Sequence, residues 1–259
     1  MSYKDLVRTW RCEVGVLKPV LLLGLLSATA LFAGQADATS ITVTNFSFES
    51  PSLGGTPGAY TIGSCPTGWN CSGGGGVYVP TSTQFSPGSD GLPGSEIVPN
   101  GSQAAWTNNG ATPQELEQDV GTIAANTIYT LNVWAGARAD QQDAWALGFQ
   151  PTIELTANGV VVDSLVTTDP GSGQWLDSSL TWAAIAGDVG DTLSIVLLVS
   201  PGDTDATQVA WDDVTLNAVD NSVVTPLPAA LPLFAAGLGM LGLFVSRRKR
   251  KNLVGTATA

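Results

Sequence analysis

The sequence predicts an all-β protein, a jelly-roll-like antiparallel β-sandwich with a separate helix at either end. Three observations carry this. Runs rich in β-branched and aromatic residues recur from Ser102 to Ala218, divided by Gly-, Asp- and Asn-rich turns. No stretch between the two ends has a 3.6-residue apolar period. Asn158-Gly159 separates two such runs as the two-residue loop that best matches strand twist.

The chain opens with Lys4, Arg8, Arg11 and Lys18, then an apolar run from Pro19 to Gly34, then Ala36-Asp37-Ala38. This three-part layout predicts a signal peptide over 1–38, handed to Sec-type export machinery and cut after Ala38. Ile41–Phe48 alternates β-branched and aromatic residues and predicts the first strand. Residues 50–101 are loop-rich, with Gly73–Gly76 and a turn-forming run from Ser86 to Gly94. An irregular surface is expected there, with short strands near 60–62 and 77–79. The four-glycine run lacks the Lys-Ser/Thr of a phosphate loop. Strands are then expected at 102–107, 115–120, 127–134, 152–157, 160–166, 175–185, 192–200 and 207–218. Short strands at such spacing make a sandwich, here a domain of residues 39–222.

Leu227 to Ser246 is twenty residues without a charge. As a helix it would be about 30 Å long, enough to cross a bilayer core. Arg247, Arg248, Lys249, Arg250 and Lys251 follow and would stay on the cytoplasmic side. A Pro-x-Pro (Pro226-Leu227-Pro228), one apolar helix and a basic cluster resemble the PEP-CTERM sorting signal, in which Pro-Glu-Pro opens the segment. The resemblance implies processing by an exosortase-type enzyme over residues 223–259. It also implies a precursor anchored in the inner membrane and a final place at the cell surface or in the extracellular matrix.

Charge and composition remove several function classes. Between residues 39 and 222 Arg138 is the single cation against nineteen Asp and Glu, so 1 − 19 gives a net charge of −18. Such a surface repels phosphate backbones and excludes nucleic-acid partners. There is no histidine in the chain, which removes Ser-His-Asp and Cys-His catalysis and His-ligated zinc. Cys12 falls in the leader, leaving Cys65 and Cys71, which in an exported chain most simply form a disulfide.

Asn45-Phe-Ser-Phe-Glu49, Gly68-Trp69 and Val209-Ala-Trp-Asp-Asp-Val-Thr-Leu216 resemble the ends of galactose-binding-like jelly rolls, notably carbohydrate-binding modules of families 4 and 9. The resemblance implies a structural Ca2+ held by Glu49 and by Asp212 or Asp213. Hard oxygen ligands and the lack of lysine agree with that ion. Trp134, Trp182 and Trp211 fall in strand patterns and are expected in the core. Trp69, Trp106, Trp145 and Trp175 fall in or near loops. The candidate sugar-binding residues are Arg138, Asp140, Gln141, Asp143 and Trp145, with Trp69 and Trp106 as aromatic faces. An Arg138–Asp140 surface pair accounts for the same segment without a ligand. No pair of carboxylates can be placed across a cleft as a glycosidase needs. The resulting expectation is a non-enzymatic, surface-sorted sandwich associated with extracellular polysaccharide. A structural matrix protein without a sugar ligand and a glycoside-active enzyme are the alternatives.

Overall fold

The computed structural model describes residues 38–88, 96–108, 114–199 and 207–222, together with Leu238. The signal-peptide cut site apart, the expected leader lies outside these residues, and so do Pro226, Leu227, Pro228, Arg247, Arg248, Lys249 and Arg250. No helix among the described residues is long and apolar enough to cross a membrane.

Among the described residues eleven strands follow one another: β1 (Ala38–Ile41), β2 (Asn70–Ser72), β3 (Gly75–Tyr78), β4 (Ala104–Asn108), β5 (Gln114–Thr122), β6 (Thr127–Ala137), β7 (Pro151–Ala157), β8 (Val160–Val166), β9 (Gln174–Ala183), β10 (Thr192–Val199) and β11 (Gln208–Asp220). They form two antiparallel sheets. The first runs β3-β4-β11-β6-β9, with β1 also on β11; the second runs β2-β5-β10-β7-β8. The expected antiparallel sandwich is what the chain adopts. Asn158 and Gly159 both have positive φ at the β7–β8 turn, as that two-residue loop requires.

Strand alternation sorts the side chains between two cores. In β6, Tyr129, Leu131, Val133, Ala135 and Ala137 are buried at every second position. They face Leu116 of β5, Ile153 and Leu155 of β7 and Leu193, Ile195 and Leu197 of β10 in the main core between the sheets. β10 is buried along nearly its whole length, because it lies at the centre of the second sheet.

The second core is on the other face of the first sheet. One row across five strands reads Gly76, Trp106, Ala210, Gly136, Trp175. Small residues alternate with tryptophans, so the indoles lie down over the gaps. A Cβ at Gly136 would stand 2.7 Å from Trp175 and 2.9 Å from Phe85. Phe85 stacks on Trp175 at 4.5 Å between centroids, and the Trp175 indole N–H donates to Ile97 O at 3.1 Å. Residues Phe85 and Val98 are thus buried beneath a covering segment. The loop-rich region before Ser102 is not simply irregular surface; its apolar residues close one face of a sheet. Trp175, expected in or near a loop, is fully buried in β9.

Ile41–Phe48 is also corrected. β1 ends at Ile41, and Asn45 and Phe48 adopt φ of 52° and 55°. The Asn45 side chain accepts from Ser50 N at 3.0 Å and donates to Ser50 O at 2.7 Å, closing a turn. Asparagine tolerates that left-handed backbone. Phe46 is left exposed while Phe48 is buried against Trp69 at 5.2 Å.

Candidate functional site

A cavity of about 440 Å³ opens at one end of the first sheet, on its outer face. Its floor follows from register. Asn108 of β4 pairs with Gln208 of β11, and Arg138 follows Ala137, the partner of Val209. The next positions along β4 and β3 add Trp106 and Tyr78. Tyr60, bridged to Tyr78 beyond the edge of β3, stands as an outer wall. Gln84 and Gln141 complete the polar lining.

Three oxygens in this lining are buried without a hydrogen-bond partner: Tyr78 Oη, Asn108 Oδ1 and Gln141 Oε1. Leaving such a group unpaired costs about 1–3 kcal/mol each. All three have essentially no accessible surface, so they point into the packed wall rather than into the hollow. Burial drives the Tyr78 hydroxyl pKa far upward against the pull of Arg138, so the phenol keeps its proton and remains a donor. The Arg138 guanidinium lies 5.6 Å from the Tyr78 ring centroid.

Arg138 itself is tightly placed. Nε and Nη2 donate to Asp140 at 2.9 and 2.8 Å, and Nη1 donates to Gln208 Oε1. Gln84 donates to the same Asp140 carboxylate at 3.2 Å. The Arg138 hydrogen bonds hold the Asp140 carboxyl below its usual range. The Arg138–Asp140 surface pair weighed from the sequence is therefore real, and it borders the cavity.

The sequence candidates divide. Arg138, Gln141 and Trp106 line the cavity, and Asp140 anchors Arg138. Trp69 is a core residue, 4% exposed, with its indole N–H on Thr44 O at 3.1 Å. Asp143 accepts from Trp145 N at 3.0 Å, and the Trp145 indole N–H turns to Thr167 O at 3.0 Å. Trp145 packs against the main core, so neither residue joins the cavity. Tyr60, Tyr78, Gln84, Asn108 and Gln208 were not singled out from the sequence. The available signal was strand parity: Gln208 precedes Val209 by one and so faces outward with Ala210.

The other singled-out cluster lies outside the cavity lining. Glu49 Oε1 accepts from Ser102 N and Gln103 N, both at 2.7 Å. Asp212 Oδ2 accepts from Asn100 N at 2.8 Å, and Asp213 Oδ1 accepts from Asn100 Nδ2 at 3.1 Å. Glu49, in the turn after β1, and Asp212 and Asp213, inside β11, thus hold one loop, 100–103, between their carboxylates. Asp212 is fully buried, and its pKa is raised by burial and by the nearby Asp213 and Glu49 charges. The one ion pair among the described residues is Arg138–Asp140, so no cationic side chain compensates Asp212. An uncompensated buried carboxylate beside a second one fits a hard cation. Among the described residues no three His, Cys, Asp or Glu side chains converge, so carbonyl oxygens would have to complete such a shell. Cys65 and Cys71 are joined, with Cα atoms 5.7 Å apart, as expected.

The fold and cavity define a class: an antiparallel sandwich with an open, aromatic-walled hollow on the outer face of one sheet. The family model described as HpiC1-like (HpiC1 cyclase) matches residues 39–217, and the chain belongs to that family. It is similar to the Stig cyclase Fisc from Fischerella sp. TAU, solved with (3Z)-3-(1-methyl-2-pyrrolidinylidene)-3H-indole. That pair is 23% identical with TM-score 0.57, covering 70% of this chain and 98% of that one. An apo cyclase from Fischerella sp. is 23% identical with TM-score 0.58, covering 72% and 98%. A cyclase from Fischerella sp. TAU bound to 4-(1H-indol-3-yl)butan-2-one is 24% identical with TM-score 0.55, covering 70% and 97%. At these identities the likeness shows the fold. Carbohydrate-binding modules are also structural neighbours, one of them in complex with β-1,4-galactotriose, but its TM-score of 0.43 carries no argument. No curated protein matches the chain by sequence.

The expectation of a non-enzymatic, polysaccharide-associated protein is overturned by this membership, because the family is one of cyclases. The sorting-signal, exosortase and membrane reading gains no support either: the match ends at residue 217, before that segment begins.

Proposed function

We propose that the chain is a cyclase working in the cavity between Tyr60, Tyr78, Trp106 and Arg138. The observation that carries this is the hollow itself, walled by Tyr60, Tyr78, Trp106 and Arg138 on the outer face of the first sheet. Family membership supplies the reaction class. A cyclase joins two atoms of one molecule, so the protein's task is to hold the substrate folded with those atoms in contact. Enclosure alone contributes several kcal/mol in well-oriented systems, about 7–11 at the upper end. Tyr60 and Trp106 offer flat apolar surface, and the carboxamides fix the orientation. Arg138, held over the Tyr78 ring, places positive charge beside any substrate atom that gains electron density.

The volume suits a substituted bicyclic aromatic, and indole compounds occupy two of the related cyclases. The probe is therefore 4-(1H-indol-3-yl)butan-2-one, titrated into the full chain by calorimetry. Saturable binding is expected, weakened several-fold by Tyr60→Ala and untouched by Ile185→Ala, an exposed apolar residue outside the lining. No binding, or binding indifferent to Tyr60, would overturn the assignment. The Cys65–Cys71 bond supports an oxidising compartment outside the cytoplasm. A Ca2+ held by Glu49 and Asp212 is proposed as structural, tying the start of the sandwich to β11 and lying outside the cavity lining.

A further inference from the structure

Resting on that reading of the cavity, we infer that Asp140 is the positioning residue for Arg138: it stands outside the hollow, and ligand binding depends on it through the guanidinium that it aims. The two groups lie two residues apart in the loop after β6. Arg138 is 12% exposed, so its charge has little water around it and needs partners from the protein. Nε and Nη2 donate to the two oxygens of Asp140 at 2.9 and 2.8 Å, a bidentate arrangement that fixes both the place and the plane of a guanidinium. Nη1 donates to Gln208 Oε1 of β11, so three of the five N–H groups are committed and two remain.

Asp140 is itself braced from the covering segment. Gln84 Nε2 donates to Asp140 Oδ2 at 3.2 Å, and Gln84 O accepts from Ala139 N at 2.9 Å. Gln84 Oε1 accepts in turn from Thr81 N at 3.0 Å. One glutamine thus holds the loop by its backbone and the carboxylate by its side chain. Arg138 belongs to the lining of the hollow and Asp140 does not. Residues 39–222 carry nineteen acidic side chains and no second cation, so an arginine on a long flexible stem has rival partners unless one is imposed. Asp140 is 39% exposed, and a pair so open to water contributes little to stability. What it supplies is the direction of the charge.

The test is a double-mutant cycle on the full chain, read by calorimetric titration of 4-(1H-indol-3-yl)butan-2-one, whose ketone oxygen is a group that an arginine can receive. Arg138→Met is expected to bind the probe about tenfold more weakly, the effect of losing a hydrogen bond to a charged group. Asp140→Ala is expected to weaken binding about fivefold while the melting temperature stays within a few degrees of the parent. In the Arg138→Met background the further change Asp140→Ala should alter affinity by less than about twofold, because nothing is left to aim. Asp140→Asn, which keeps the shape, should show the same non-additivity and serves if the alanine variant does not fold. An equal loss in both backgrounds, an Asp140→Ala affinity within twofold of the parent, or an Arg138→Met chain that binds as tightly as the parent overturns the inference and leaves the cavity assignment standing. Failure of the parent to bind the probe overturns the cavity assignment, and the inference with it.

Discussion

Single residues set the shape of this molecule where the backbone is forced off the ordinary path. Gly101 has φ of +74°, and a Cβ there would fall 2.3 Å from Glu49 Oε1. It allows the loop amides of Ser102 and Gln103 to reach one carboxylate. Gly101→Ala should therefore cost about 1–3 kcal/mol, from left-handed strain and a broken clamp together. Thermal unfolding checks it, and an unchanged melting temperature would refute the clamp. Two buried glutamines work at the same scale. Gln103 accepts from Leu53 N and donates to Phe48 O and Pro51 O; Gln118 accepts from Thr44 N and donates to Thr44 O and Gly68 O. Gln118 of β5 and Gln103, just before β4, pin the segment that follows β1, which explains why an extended-looking stretch such as Ile41–Phe48 turns. A polar residue at a core-facing position was the visible trace of this, and its partners lie 50 or more residues away.

At the scale of elements, β2 is the most weakly founded strand. It has three residues, its pairing is with β5 alone, and the Cys65–Cys71 bond closes the turn leading into it. Cys65→Ser with Cys71→Ser should cost about 2 kcal/mol, the loop-entropy value for a closed loop this short. Amide exchange at Asn70–Ser72 should rise while the exchange of β6 and β10 stays put; uniform loosening of both sheets would contradict this local role. Strands β5 to β11 were legible, within a residue or three of the expected bounds, because β-branched and aromatic runs stand between turn residues, and β5, β6 and β9 also bury one face at period two. The second core was not. Phe85 and Val98 sit among Gly, Pro and Ser, and nothing local says that they close over Trp106 and Trp175. The cavity was half legible for a related reason. Arg138 and Gln141 stood out as rare polar groups after a strand, whereas Tyr78, Asn108 and Gln208 meet only through sheet register.

The whole molecule is governed by its charge, and here acid and metal act in opposition. Asp212, Glu117, Glu154 and Asp177 all have pKa values raised in the fold, in each case first by burial and then by neighbouring carboxylates. A carboxylate so raised binds its proton more firmly in the native state than in the unfolded chain. Its stabilisation is complete below the unfolded value near 4 and is lost as pH rises through the folded value. Asp140, lowered by Arg138, acts the other way, losing its contribution as pH falls through its folded value. Asp220, lowered by its hydrogen bonds from Ser222, acts in the same direction as Asp140. Four raised groups against these two predict that, without divalent ions, the melting temperature falls as pH rises above about 4. Calcium should reverse the trend, since a cation at Glu49 and Asp212 binds their ionised forms and cancels the repulsion that opposes them. At a hundred times Kd the ion adds about 2.7 kcal/mol, or roughly 5–10 °C for a domain of this size. The calcium-induced rise should grow with pH, because the proton held by the raised Asp212 carboxyl competes with the ion. Asp212→Asn should flatten the pH dependence in chelator and abolish the calcium response, and Glu49→Gln should abolish the response alone. Calorimetry of the full chain in calcium and in chelator decides it. A melting temperature indifferent to calcium at pH 8 would remove the metal, and one that climbs with pH in chelator would remove the account of Asp212 as a strained acid.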